Sequence, residues 1–195
     1  MSAEDGKVPG RASRVTLALV AAVCIAPIVA SVALFLLWQP ASRVNYGELL
    51  TPGQLASPPL TDVAGRPFDL LQLRGKWTYI TVDAGSCDGY CRDKLWKMRQ
   101  IRRTQGKHME RIERLWLVSD ANLPEPALVK EYEGTWVVRA AGSSLLTQLP
   151  AAGTLRDHIY LLDPLGNLVL RYPRDADPSR MKKDLERLLK VSRIG

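Results

Sequence analysis

Two cysteines four residues apart are the residues of this sequence best suited to chemistry. Cys87 and Cys91 stand in the stretch GSCDGYCRDKLWKM (85–98), between a strand-like run and a helix-like one. Such a pair can form a disulfide, hold a metal ion between two thiolates, or remain unreactive in a core. The third cysteine, Cys24, lies in a long apolar run, where we interpret it as a small apolar filler.

The spacing of the pair leaves the first two of these chemistries open. Residues four apart on a regular helix have Cα atoms about 6 Å apart, near the long end of disulfide geometry. With Cys87 in a loop and Cys91 at the helix start, a disulfide and a two-thiolate site are both within reach. Thiolates favour Cu(I), and an imidazole could complete a three-coordinate site. A helix N-terminus lowers the pKa of a nearby thiol, and Gly85 and Gly89 allow the backbone to bend around an ion.

The elements around the pair alternate between strand and helix patterns. Residues 76–83, KWTYITVD, are rich in β-branched and aromatic types and predict a strand. After the cysteine loop, apolar residues recur at helical spacing on one face: Cys91, Leu95, Met98 and Ile101. Further strands are predicted at 60–77 (two short ones around Ala64-Gly65), 112–118, 135–138 and 158–172 (a hairpin), and helices at 126–133, 143–149 and from Asp177. This order predicts an α/β fold, a thioredoxin-like mixed sheet with helices on both faces.

A long apolar run precedes this domain. Residues 15–38 contain no charged residue over 24 positions, enough for a transmembrane helix. We therefore expect a cytoplasmic tail at 1–14, an anchor at 15–38, a spacer rich in proline and small residues at 39–59, and the thioredoxin-like domain at 60–195. The basic residues Lys7, Arg11 and Arg14 precede the anchor, so the C-terminal domain is expected outside the cytoplasm, in the periplasm of a bacterium.

Composition excludes several other classes. Hydrophobic residues at 46% and charged residues at 24% are typical of a globular protein rather than a disordered one. The net charge is +7 and nine Lys or Arg fall between Arg92 and Arg114, but no base-reading motif accompanies them. We interpret this run as a solvated helix face or as an electrostatic surface for anionic lipid or an acidic partner, and expect no nucleic-acid binding. No phosphate loop or other pattern for a small-molecule substrate is evident.

Four features of the sequence resemble one family. They are the N-terminal anchor, the Cys-x-x-x-Cys spacing of Cys87 and Cys91, the domain opening between Thr61 and Lys76, and the late hairpin Tyr160–Gly166. On these features the chain resembles a divergent member of the Sco/SenC family, the membrane-anchored thioredoxin-like assembly proteins of cytochrome oxidase. The resemblance implies Cu(I) bound by both cysteines and a histidine, and as partners a cytochrome oxidase subunit or other assembly factors.

The sequence departs from this family at the histidine. The family's ligand precedes the tyrosine of the late strand by five residues, a position that Leu155 holds here. His158 stands two residues before Tyr160 instead, and is the predicted third copper ligand, with a strand-edge histidine as the alternative. In the family, prolines commonly follow each cysteine, whereas here Asp88 and Arg92 do.

Three hypotheses of function follow. The first is a copper-binding assembly factor that delivers Cu(I) to a cytochrome c oxidase through Cys87, Cys91 and His158. The second is a thiol–disulfide oxidoreductase in which Cys87 attacks and Cys91 resolves, with Asp83 as a proton relay or as a structural carboxylate. The third is a non-catalytic assembly scaffold.

Overall fold

The structure is a computed structural model that describes residues 11–37 and 45–192. The chain divides into two compact units, Met1–Val44 and Asn45–Gly195. The first contains the long apolar run, and the second contains the cysteine pair.

The described part of the first unit is one helix, α1 (Arg11–Leu37). Its stretch Arg14–Leu37 is 24 residues long and apolar enough to cross a membrane. Among the described residues it is the one candidate for a membrane span, by length and composition. Lys7, one of the basic residues that precede the predicted anchor, lies outside the described residues.

The described part of the second unit folds around one eight-stranded sheet with the order β1-β8-β7-β4-β5-β6-β2-β3. β4, β5 and β6 are parallel to one another, and the other pairings are antiparallel. The strands are β1 (Glu48–Gln54), β2 (Leu60–Asp62), β3 (Pro67–Phe68), β4 (Trp77–Asp83), β5 (Ile112–Val118), β6 (Trp136–Arg139), β7 (Ile159–Leu162) and β8 (Asn167–Tyr172). The helices are α2 (Gly89–Arg103), α3 (Pro126–Glu131), α4 (Ser144–Thr147) and α5 (Pro178–Val191), with 3-10 turns at Leu70–Leu73, Gly106–Arg111 and Leu155–Asp157.

The sheet separates two hydrophobic cores. All seven residues of β4 are buried, as expected for a central strand that is covered on both faces. On one face the core includes the apolar sides of α2, α3 and α5, among them Leu95, Leu128 and Leu185. On the other face Leu70 and Leu73 of the first 3-10 turn pack with Leu145 of α4. The predicted fold class, a thioredoxin-like mixed sheet with helices on both faces, is confirmed.

The stretch 39–59, predicted as a spacer, contains a strand of the sheet. Within it β1 pairs antiparallel with β8, and its register shifts between Leu49 and Gly53. Sequence patterns did not predict this strand because it contains Pro52 and Gly53. Both residue types are rare inside strands and are tolerated mainly at edges and irregular positions. The compact unit consequently starts at Asn45, fifteen residues before the predicted boundary at Leu60.

The basic run from Arg92 to Arg114 does not form one solvated face. Lys94 and Arg114 are buried. The Arg111 guanidinium donates to the carbonyls of Leu189 (3.3 Å) and Ser192 (2.9 Å), at the end of α5. Several charges of this run therefore serve internal contacts rather than a shared surface.

Candidate functional site

Cys87 and Cys91 are joined by a disulfide at the junction of β4 and α2. Their Cα atoms are 5.1 Å apart, within the range of ordinary disulfides. β4 ends at Asp83 and α2 begins at Gly89, so a short loop carries Cys87 while Cys91 lies in the first turn of the helix. Cys87 is 2% exposed and Cys91 0%, and both belong to the core cluster beneath α2. The structure thus brings the two predicted site residues together as a bonded pair.

The loop before the helix is held by tight backbone contacts. Cys87 has a φ of +38°, in the left-handed region that residues with a side chain seldom adopt. The Gly85 amide donates to the Asp120 carboxylate at 2.8 Å. A Cβ on Gly85 would lie 2.0 Å from the Asn122 carbonyl oxygen, whereas one on Gly89 would meet nothing within 4 Å. Of the two glycines predicted to let the loop bend, only Gly85 must therefore be glycine, because the loop has no room for a side chain at this position.

Asp88 caps the helix that carries Cys91. Its carboxylate accepts a hydrogen bond from the Cys91 amide at 3.1 Å, a normal N-cap contact. The hydrogen bond and ion pair from Arg156 hold the pKa of Asp88 below its usual value, and the contact with the Cys91 amide adds to this. The cap places the positive end of the α2 dipole at the sulfurs, which favours a thiolate once the disulfide is reduced.

A buried ion pair lies beneath the same junction. Lys94 Nζ is 2.7 Å from an Asp83 carboxylate oxygen, and the two side chains are 3% and 1% exposed. The ammonium also donates to the carbonyls of Val82 (3.2 Å) and Arg156 (2.6 Å). Burial lowers the pKa of Lys94, and Asp83 opposes the shift. The second Asp83 oxygen accepts from Arg156 Nε at 2.8 Å.

Sequence reasoning missed Lys94, although its spacing contained a signal. Lys94 follows Cys91 by three residues and precedes Met98 by four, which places it on the apolar face of α2. A lysine on that face needs a buried carboxylate, and Asp83 at the end of β4 supplies it. Asp83 stays a candidate proton relay that is now fixed in an ion pair.

Cations surround the aromatic ring between the two cysteines. The Tyr90 ring centroid is 5.0 Å from Lys94 Nζ, 5.6 Å from the Arg156 guanidinium and 5.5 Å from that of Arg174. The Tyr90 hydroxyl donates to the Asp157 carbonyl at 3.3 Å. Burial is the main cause that raises the pKa of Tyr90. Each of these cations is also paired with a carboxylate, Lys94 and Arg156 with Asp83 and Arg174 with Asp157, so the disulfide lies beside a network of paired charges.

His158, the predicted third copper ligand, is engaged elsewhere. It is buried, with Nδ1 2.9 Å from the Tyr172 carbonyl oxygen and Nε2 3.2 Å from the Ala152 amide. Nε2 also lies 3.1 Å from the Ala152 carbonyl oxygen, so both ring nitrogens have backbone partners. Over residues 11–37 and 45–192, no group of three or more His, Cys, Asp or Glu side chains is placed to hold a metal ion. The structure does not bring His158 together with the cysteines as a ligand set.

Known proteins resemble this chain mainly in its second unit. A family model described as the transmembrane-like, thioredoxin-like C-terminal domain matches residues 77–192, which include the cysteine pair and both flanking elements. No curated protein sequence matches the chain.

Solved structures share the fold at low sequence identity. Copper-bound yeast Sco1 is 20% identical, with a TM-score of 0.61 over 73% of this chain and 96% of the other. Copper-bound ScoI from Bradyrhizobium japonicum is 22% identical, with a TM-score of 0.54 over 69% of this chain and 99% of the other. The thioredoxin domain of a thiol-disulfide oxidoreductase from Bacteroides vulgatus is 16% identical, with a TM-score of 0.53 over 72% of this chain and 99% of the other. These likenesses establish the thioredoxin-like fold.

Proposed function

Because the chain belongs to the transmembrane-like, thioredoxin-like C-terminal domain family, we propose that it is a membrane-anchored thiol–disulfide oxidoreductase whose redox pair is Cys87 and Cys91. The observation that carries the proposal is the disulfide at the capped N-terminus of α2. The similarity of the fold to the Bacteroides vulgatus oxidoreductase domain supports it.

The reduced pair would transfer two electrons to a partner protein. The Cys87 thiolate attacks one sulfur of the partner's disulfide, and the other partner sulfur leaves as a thiolate. The Cys91 thiolate then attacks Cys87 in the mixed disulfide, so the Cys87–Cys91 bond forms and the partner departs with two thiols. A dithiol donor has to reduce the pair again before a second cycle.

The two cysteines have different roles because their positions differ. Cys87 lies in the loop with the exposed residues Ser86 and Asp88 on either side, whereas Cys91 lies within the first turn of α2. The positive end of the α2 dipole stabilises negative charge on sulfur. Since Cys87 is nearly buried in the oxidised form, a partner reaches it only when the loop shifts.

Stoichiometric reduction of oxidised glutathione tests this proposal. The full chain with Cys24→Ser, reduced and freed of reductant, is mixed with oxidised glutathione. We expect one equivalent to be consumed, two equivalents of glutathione to be released, and the Cys87–Cys91 bond to form. The matched control also carries Cys87→Ser and Cys91→Ser and should release none. Equal release from both proteins would refute the redox role.

A second candidate function is favoured by the copper-bound Sco structures of similar fold. Here the reduced Cys87 and Cys91 thiolates would carry one Cu(I) as cargo for a cytochrome oxidase subunit or another assembly factor. Thiolates are soft ligands suited to Cu(I), but His158 is held by Tyr172 and Ala152. We therefore propose two thiolates as the ligand set.

Copper titration separates the two candidates. The reduced full chain with Cys24→Ser should bind one Cu(I) if it carries copper, and His158→Ala should leave the affinity within about threefold. A loss of about 100-fold or more, the size expected for removal of a ligand or its hydrogen-bonded support, would make His158 a ligand. If the reduced chain binds no copper, the redox function is the only one of the two candidates that remains.

We also propose that the second unit lies outside the cytoplasm. Lys7, Arg11 and Arg14 precede the apolar helix, and basic residues favour the cytoplasmic side. Fusion of a reporter that is active only in the cytoplasm after Gly195 should give no signal, and a strong signal would reverse the orientation.

A further inference from the structure

Four basic residues form one stripe along α5. Arg180, Lys183, Arg187 and Lys190 follow the spacing i, i+3, i+7 and i+10, and all four are exposed. The core-facing side of the helix contributes Met181, Leu185 and Leu189. The helix thus separates an apolar face from a cationic stripe.

Little acidic charge opposes this stripe. The Arg187 guanidinium is 3.6 Å from the Asp184 carboxylate. Glu186 pairs instead with Lys182, at 3.4 Å. In the described part of the chain no ion pair within 4 Å involves Lys183 or Lys190. The stripe therefore carries an excess of positive charge toward solvent.

The chain enters the second unit beside the same helix. The amides of Tyr46 and Gly47 donate to the two Asp184 oxygens, at 3.1 and 2.9 Å. The Arg180 guanidinium lies 3.9 Å from the centroid of the Tyr46 ring. The Tyr46 hydroxyl accepts from the Asp177 amide at 3.2 Å, at the helix start. The first described residues after the linker are thus fixed to α5.

A short segment joins the apolar helix to this entry point. Residues 38–44 separate the end of α1 at Leu37 from Asn45.

We propose that the stripe Arg180–Lys183–Arg187–Lys190 binds the headgroups of anionic lipids in the membrane that anchors the chain. Lipid phosphate groups can accept paired hydrogen bonds from the arginine guanidinium groups and form ion pairs with the lysine ammonium groups. A membrane is favoured over an acidic protein because the same chain carries a helix long and apolar enough to cross one, joined to the second unit by residues 38–44 alone. The proposal does not depend on the cysteine chemistry.

Lysine footprinting of the reconstituted full chain tests the proposal. The protein is placed in vesicles of phosphatidylcholine alone, or mixed with phosphatidylglycerol, and treated with a membrane-impermeant acylating reagent. We expect Lys183 and Lys190 to react at least about fivefold more slowly in the anionic vesicles, and about 1 M salt to abolish the difference. The exposed Lys130 on α3 serves as the internal control and should react equally in both.

Matched charge removals show whether the stripe acts as a unit. Arg180→Gln with Arg187→Gln leaves both reporter lysines and should reduce their protection to less than half. Arg103→Gln with Arg139→Gln removes the same charge elsewhere and should leave the protection unchanged. Equal reactivity of Lys183 and Lys190 in both kinds of vesicle would overturn the proposal and leave the stripe for an acidic protein.

Discussion

The buried charges beside the cysteines define the site at the scale of single residues. Lys94 and Asp83 form a fully buried pair, and Arg156 joins Asp83 to the helix cap Asp88. A buried pair costs desolvation and adds little net stability, but removing one partner leaves a buried charge unpaired. The pair therefore ties the end of β4 to α2 at the position where the disulfide forms.

Removal of the buried lysine should destabilise the unit strongly. We expect Lys94→Met to lower the free energy of unfolding by about 2–3 kcal/mol, because one buried Asp83 oxygen loses its cation while Arg156 still pairs with the other. The double variant Lys94→Met with Asp83→Asn should recover part of this loss. Urea unfolding of the oxidised proteins measures both. A loss under about 1 kcal/mol in the single variant would show that the pair is not buried in solution.

The helix cap should give stability that depends on pH. Asp88→Ala should cost about 1 kcal/mol near neutral pH, the usual value for an N-cap. The pKa of Asp88 is lowered from 3.8 in the folded protein, so its contribution is complete above that value. The contribution is lost as the pH falls through the depressed folded pKa.

Melting temperatures from pH 7 to pH 2 test this linkage. The gap between wild type and Asp88→Ala should be constant at higher pH and should narrow in acid. Asp93→Ala is the control in the same helix and should change little, because Asp93 is half-buried and forms only a surface ion pair with Lys97. A gap that widens in acid would contradict the assigned role of Asp88.

At the scale of elements, the cysteine loop depends on one close approach. Gly85→Ala should destabilise the unit by about 1–3 kcal/mol, because the new methyl group collides with the Asn122 carbonyl. Gly89→Ala, at the first position of α2, should be neutral or slightly stabilising since its surroundings are open. Urea unfolding of the two variants compares them directly. If Gly89→Ala were the more damaging change, the close approach of Gly85 to Asn122 would not be what shapes the loop.

Local sequence determined several elements because their own residues favour one structure. The strand predicted at 112–118 matches β5 at both ends, since five of its seven residues are apolar and three of these are β-branched or aromatic. In the predicted hairpin, the Asp163 carboxylate accepts from the amides of Leu165 and Asn167, and Gly166 has a φ of +87°. The cap of α5 by Asp177 ahead of Pro178 is likewise a local contact.

Other features arise only from tertiary contacts, and sequence could not reveal them. β1 forms a strand because the edge of β8 is available for pairing, although the residues of β1 do not themselves favour strand structure. The surroundings of His158 depend on Tyr172 and Ala152, which the fold brings to its ring. The proximity of the cysteines followed from their spacing, but their burial did not.

At the scale of the whole molecule, the second unit begins at the docked segment around Tyr46. A fragment of residues 45–195 should unfold cooperatively in urea. A fragment of 60–195, which lacks β1 and the contacts to Asp184, should be less stable by about 2 kcal/mol or more, because it exposes the edge of β8 and leaves the Asp184 carboxylate without two donors. Equal stability of the fragments would show that β1 adds nothing to the fold.

Trapping of a mixed disulfide is the most direct test of the redox account. The reduced full chain carrying Cys24→Ser and Cys91→Ser is mixed with oxidised glutathione and examined by intact mass and peptide mapping. The account predicts one glutathione on Cys87 that persists, whereas the protein with Cys91 intact releases it and forms the Cys87–Cys91 bond. No adduct on Cys87, or an adduct that persists with Cys91 present, would contradict the claim that the two cysteines are an attacking and resolving pair.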